Sequence, residues 1–283
     1  MALTITSNRN SEISLNRTDT ANSPLTIDAG VTVSASGSYA VYTSYYQSWS
    51  ITNLGTLLGK YGVLLNDANT SPGSVLTNSG TAALISGSKI GVEVFGSYST
   101  VTNQGTILGG SGDGVDLDAD SDRVTNSGTA ALIRGGRDGI YADTTPGSTA
   151  VVTNFGTISG TSGDGVLLNG GGSVTNSTIS ARVEGSTNGV AAAGTSTAVV
   201  TNFGTISGSS GDGVSLAAGG KVTNSGTGAV IYGASNGVYA TNTSIAVVNT
   251  GRITGAHRDG VYLNAGGSVT NNSTAALISG AGN

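Results

Sequence analysis

Cysteine is absent from the 283 residues, proline occurs 3 times, histidine and tryptophan once each, and only 10% of the chain is charged. Without cysteine no disulfide framework can form, and one histidine alone makes no zinc site. Collagen is excluded as well, because the 47 glycines do not recur at every third position and the proline that helix needs is missing. A net charge of −5 with 11 Lys and Arg leaves no dense basic patch, so nucleic acid is not an expected partner. No apolar run approaches the ~20 residues of a membrane helix, and the start Met1-Ala2-Leu3-Thr4-Ile5-Thr6 lacks the regions of a signal peptide. Direct membrane insertion is therefore not expected. The chain reads as soluble, either cytoplasmic or an excised piece of something exported, and the lack of cysteine leans toward export. Disorder is disfavoured, since 37% of residues are hydrophobic and the net charge is small.

What fills the sequence instead is a repeat. Val-Thr-Asn or a near variant ends at Asn53, Asn78, Asn103, Asn126, Asn154, Asn176, Asn202, Asn224 and Asn271, with Val248-Asn249 in the remaining slot, at spacings of 22 to 28 residues. Behind most of these asparagines comes Gly-Thr and then an apolar pair closed by glycine. A third column, Gly-Val or Gly-Ile, follows at positions such as Gly114, Gly139, Gly165, Gly189 and Gly213. Two kinds of unit alternate, Val-Thr-Asn-Phe-Gly-Thr-Ile-Ser-Gly at 152 to 160 and Thr-Asn-Ser-Gly-Thr-Ala-Ala-Leu-Ile at 125 to 133, so the full period is a double unit of about fifty residues.

The apolar segments are three to five residues long, alternate in polarity and are bounded by Gly, Asn, Asp or Ser, which specifies strands rather than helices. Three short strands per unit, with like columns stacking on like, predict an all-β fold: a single-stranded parallel β-helix of about ten coils, a rod of roughly 50 Å. In Gly165-Val166-Leu167-Leu168, Val166 and Leu168 should point into a narrow aliphatic core and Leu167 outward. The glycine of each Asp-Gly or Asn-Gly pair is expected to turn the corner in left-handed or otherwise strained geometry. The repeated Asn should stack as an interior amide ladder. Residues 1–24 read as an N-terminal cap or early coil, and 25–283 as the repeat domain with an uncapped carboxyl end. Tyr39, Tyr42, Tyr45, Tyr46 and Trp49 are expected to pack the amino end.

Few residues carry chemistry. The lone His257, beside Arg258 and Asp259, reads as a solvated turn residue, and no Ser-His-acid or metal-ligand set accompanies it. No catalytic residues are expected, nor any cofactor, with one exception. Asp116, Asp118 and Asp120 fall on alternate positions of one segment, where an outward row of carboxylates would accept Ca²⁺; a solvated acidic face is the more economical alternative. Two threonine columns, one through Thr52, Thr153 and Thr201 and one through Thr56, Thr81, Thr106, Thr129 and Thr157, read as outward stripes explained by β-propensity and cross-coil pairing. Tyr141, Tyr239 and Tyr262 should also face outward, where a ring can stack on a sugar or a protein partner.

The alternating Val-Thr-Asn-Phe-Gly-Thr-Ile-Ser-Gly and Thr-Asn-Ser-Gly-Thr-Ala-Ala-Leu-Ile units, with Gly-Asp-Gly-Val-x-Leu between them, resemble repeats in passenger domains of bacterial autotransporters and related surface adhesins, over nearly the whole chain from about residue 25. That resemblance implies right-handed coiling, location at the bacterial cell surface or in the secreted fraction, and roles in adhesion, autoaggregation or biofilm. The expected function is a non-enzymatic adhesin or rigid stalk, whose partner is a host or bacterial surface glycan or protein, or a second copy of itself. The alternatives are a filament subunit stacking through open coil ends and, most weakly supported, a polysaccharide-active enzyme.

Overall fold

The computed structural model describes residues 2–16, 23–45, 47–67, 71–143 and 149–282. Tyr46 and residues 17–22 of the expected amino-terminal segment lie outside them. Among the described residues there is no helix, and every strand pairs in parallel with its counterpart one coil away, giving a β-solenoid of about 11 turns. One sheet of 12 strands holds the first strand of each coil, from Leu3–Ile5 through Ala150–Asn154 to Gly267–Asn271. The second and third strands form the rest of the wall, as in Thr157–Gly160 and Val166–Leu168. In three early coils they run together as single long strands, Thr32–Thr43, Thr56–Leu65 and Leu84–Val94.

The alternation seen in the sequence explains these strands directly. Val152, Val174 and Val200 stack in register from coil to coil, as do Ile133, Ile158 and Val183 in the second strands and Ile140, Val166 and Val190 in the third; all are fully buried. Three aliphatic columns thus meet on one axis, and each residue is packed by its own kind above and below. Trp49 is the exception to the aliphatic core: it is buried near the amino end with its indole N–H donated to the Ser44 carbonyl at 3.1 Å. Leu3–Ile5 pairs with Leu25–Ile27, and Ile13–Leu15 with Val41–Thr43. The amino-terminal residues therefore already follow the solenoid register.

Asparagine closes the corner after the first strand. Asn53, Asn78, Asn103, Asn126, Asn154, Asn176, Asn202, Asn224 and Asn249 are fully buried, and each donates its amide to the Oδ1 of the next at 2.8 to 2.9 Å, ending on Asn271. Each amide also donates to backbone carbonyls; Asn154, for example, reaches Gly156 at 3.0 Å and Arg182 at 2.9 Å. The ladder satisfies carbonyls that a corner would otherwise strand.

Two expectations are corrected. The glycines of the third corner are not left-handed: positive φ is confined to others, such as Gly172 at 131° and Gly220 at 130°. Glycine is needed at Gly139 and Gly165 because the coils approach too closely there, a Cβ on Gly165 falling 2.6 Å from the Gly189 carbonyl oxygen and 2.8 Å from the Val183 side chain. The second threonine stripe also does not exist as a column. Thr106 is in register with Leu84 and Leu132, and Thr157 with Leu132 and Arg182, whereas Thr81 and Thr129 lie in the turn before the strand. The alternation of two unit types hides this, since one type brings its threonine to the corner and the other to the strand.

Candidate functional site

The first-strand face is mostly Ser and Thr, the second-strand face mixes hydroxyls with scattered residues such as Arg134, Glu184 and Tyr232, and the third strand gathers its larger side chains into clusters. Its middle residue points out, and pairing register assigns the column without ambiguity: Tyr42, Leu64, Glu93, Asp116, Tyr141 and Leu167 in successive coils, then Ala191, Ser215, Tyr239 and Tyr262. Tyr141 thus sits directly beside Asp116, about one 4.8 Å strand spacing away. Tyr239 and Tyr262 are neighbours, their rings stacked at 5.5 Å with 17° between planes. The three tyrosines therefore form two clusters on one face, separated by Leu167, Ala191 and Ser215.

The amino-proximal cluster is the richer. Tyr39 stacks on Tyr61 at 4.7 Å and leans against Tyr42 at 5.8 Å. Its hydroxyl donates to Glu93 Oε2 at 2.7 Å, and that bond together with burial pushes the phenol above its ordinary value, burial being the larger cause. Lys60 and Lys89 lie over the Tyr61 ring at 5.5 and 5.3 Å. Arg137 covers Tyr141 at 4.6 Å and forks onto Asp113, with its Nε also 3.1 Å from Asp138. A cleft of about 230 Å³ opens between these groups, lined by Lys89, Ile90, Gly112, Asp113, Asp116 and Arg137 among others. Two larger clefts, of about 280 and 310 Å³, lie on the second-strand face and hold one charged residue each.

The acidic segment is arranged differently from the expected outward row. The strand spans only Val115–Leu117, so Asp118 has left it and Asp120 lies further along in the turn. Asp116 is buried, and Glu93 of the preceding coil takes the place expected for Asp120: Glu93, Asp116 and Asp118 each bring a carboxylate oxygen to within 4.8 Å of the others. The signal for Glu93 was present in the sequence, because Gly91-Val92-Glu93-Val94 aligns with Gly114-Val115-Asp116-Leu117. Burial raises the Asp116 carboxyl to about 8, reinforced by Asp118, Asp113 and Glu93. Asp118 is raised too, by desolvation first and then by Glu93. Acidic, basic and aromatic groups thus converge here across neighbouring coils.

Beneath this face runs a second ladder that the Asp-Gly and Asn-Gly pairs encode. Asp113 Oδ1 accepts the Asp138 N–H at 3.0 Å, Asp138 Oδ1 that of Asp164 at 2.6 Å, Asp164 Oδ1 that of Asn188 at 2.8 Å, and the series continues through Asp212 and Asn236 to Asp259. Each carboxylate or amide braces the next coil's corner, which fixes the backbone on which the face is built. The carboxyl-proximal cluster uses the same corner, with Asn236, Arg258 and Asp259 lining a cleft of about 160 Å³ beside Tyr239 and Tyr262. His257 is exposed in the adjoining turn. The chain matches no protein-family model, no curated protein and no solved structure.

Proposed function

We propose that the chain is a non-enzymatic β-solenoid of the bacterial surface or secreted kind, an adhesin or rigid stalk that binds a surface glycan along the face of its third strands. One observation carries the reading: tyrosine and acidic side chains are concentrated in that column, with Arg137 and Arg258 in the turns beside it, whereas the first-strand face is almost uniformly threonine. Rings such as Tyr141 and Tyr262 offer flat apolar faces to sugar C–H groups, while Arg137 and Asn236 supply fixed polar partners for hydroxyls. Two clusters about 20 Å apart, four strand spacings, suit an extended polymer that touches both. The autotransporter-like repeats support location outside the cell.

Binding of the full chain to an array of immobilised glycans tests this, together with a search for new reducing or unsaturated ends in soluble polysaccharides. Retention of glycans without cleavage supports the reading, and new chain ends would replace it with an enzyme. A second reading, end-to-end stacking, is favoured by the last coil, where Val269 is 47% exposed and Ile278 only half-buried although they are in register with the fully buried Val247 and Ile253. A further coil of the same kind, in a continuation of the chain or in a second copy, would cover them. Concentration-dependent fibres under negative stain would support stacking between copies; a monodisperse rod would reject it.

A further inference from the structure

Asp116 is only 8% exposed, yet its Oδ1 has no hydrogen-bond partner. A buried carboxylate oxygen without a partner is destabilising, and native structures rarely retain one that serves no purpose. None of the nearby cations relieves it. Arg137 is committed to Asp113 and Asp138, Lys89 lies over Tyr61 and donates to its hydroxyl at 3.3 Å, and no ion pair reaches Glu93, Asp116 or Asp118 among the described residues.

We propose that Glu93, Asp116 and Asp118 bind one hard divalent cation of the size of Ca²⁺, clamping two neighbouring coils. Their oxygens, all within 4.8 Å of one another, fit around such an ion, since two ligands on opposite sides of Ca²⁺ lie about 4.6 to 5.2 Å apart. The donor set is all oxygen, which selects Ca²⁺-like ions over zinc or copper. Tyr39 holds one oxygen of Glu93 and leaves the other to the ion, which orients that carboxylate much as an outer hydrogen bond orients a metal ligand. Asp118 is exposed and gives the ion a way in from solvent, which supplies the remaining coordination positions. This clamp does not depend on the glycan reading, because its contribution is to coil-to-coil stability.

Titration of the chelator-treated full chain with Ca²⁺ by calorimetry tests the site, read alongside its melting temperature and the luminescence of Tb³⁺ excited through the adjacent tyrosines. Wild-type protein should take up one ion per chain, melt at a higher temperature with Ca²⁺ present and sensitise Tb³⁺. Glu93→Gln and Asp116→Asn should each weaken binding about tenfold or more, whereas Asp120→Asn should leave it unchanged. If Asp116→Asn does not fold, the exposed Asp118→Asn takes its place in the comparison. No heat, no melting shift and no Tb³⁺ signal from folded wild-type chain would overturn the proposal, as would equal weakening by Asp120→Asn.

Discussion

Asn154 illustrates how much one side chain does in this fold. It donates to Asn176 Oδ1 at 2.9 Å and to the Gly156 and Arg182 carbonyls, and it accepts from Asn126 and from the Gly156 N–H. Leucine is close in volume but offers none of this, so Asn154→Leu leaves donors and acceptors of two coils buried without partners. Destabilisation of about 1 to 3 kcal/mol is expected in urea unfolding; an unchanged midpoint would show that the ladder is not energetically important. Asp122 presents the opposite case, a charge the fold would rather not hold. It is 1% exposed, accepts the Ser99 N–H at 2.8 Å through Oδ1, and leaves Oδ2 without a partner. Burial raises its carboxyl to about 8, the Ser99 bond opposing and Asp67 and Asp120 adding to the rise. The folded form therefore retains a proton that the unfolded form has lost above pH ~4, and this contribution to stability, complete at low pH, is lost progressively as pH rises through about 8. Asp122→Asn cannot titrate. Its stability relative to wild type should rise by on the order of 2 kcal/mol between pH 5 and pH 7 and level off above about 8, measured by thermal melts in chelator. A pH-independent difference would contradict the assignment.

At the scale of strands and corners, the third corner is where coils touch most closely. Gly165→Ala should destabilise by about 1 to 3 kcal/mol, because the new methyl meets backbone carbonyls of the next coil and the fully buried Val183 side chain, neither free to move aside. Gly37→Ala, where nothing lies within 4 Å, should be near neutral. Equal effects in paired chemical denaturation curves would show that glycine serves backbone freedom at both. This corner also marks the limit of what the sequence discloses. The strands, the coil spacing and the Asn columns are legible because each recurs at one position per coil and obeys alternation. The reason for Gly165 is not, since a close approach between residues about 24 apart has the same local sequence as a left-handed turn. The Thr106 and Thr129 mismatch has a similar origin, two unit types whose shared Gly-Thr occupies different places in the coil. The alternating acids suggest a strand reaching Asp120, whereas the strand Val115–Leu117 ends sooner. Glu93 is marked in the sequence by its place in the third-strand column, where Gly91-Val92-Glu93-Val94 matches Gly114-Val115-Asp116-Leu117.

For the whole molecule, each coil pairs its strands with those of its immediate neighbours, so the solenoid is a ruler on which a face can be written one residue per 4.8 Å. The first-strand face is written almost uniformly in threonine, Thr125, Thr153, Thr175, Thr201 and Thr223 in successive coils. The third-strand face is written in Tyr, Glu and Asp, with Arg137 and Arg258 beside it. Uniformity is what stacking alone requires, and departure from it at two separated clusters is the basis for assigning recognition to that face. The direct measurement is glycan-array binding by wild-type chain and two folded triple variants, one carrying Tyr141→Ser, Tyr239→Ser and Tyr262→Ser and the other Thr153→Ala, Thr201→Ala and Thr223→Ala. Glycan retention by wild type and the threonine variant, with loss in the tyrosine variant, is the predicted result; absence of retention by wild type, or equal retention by all three, would contradict the account.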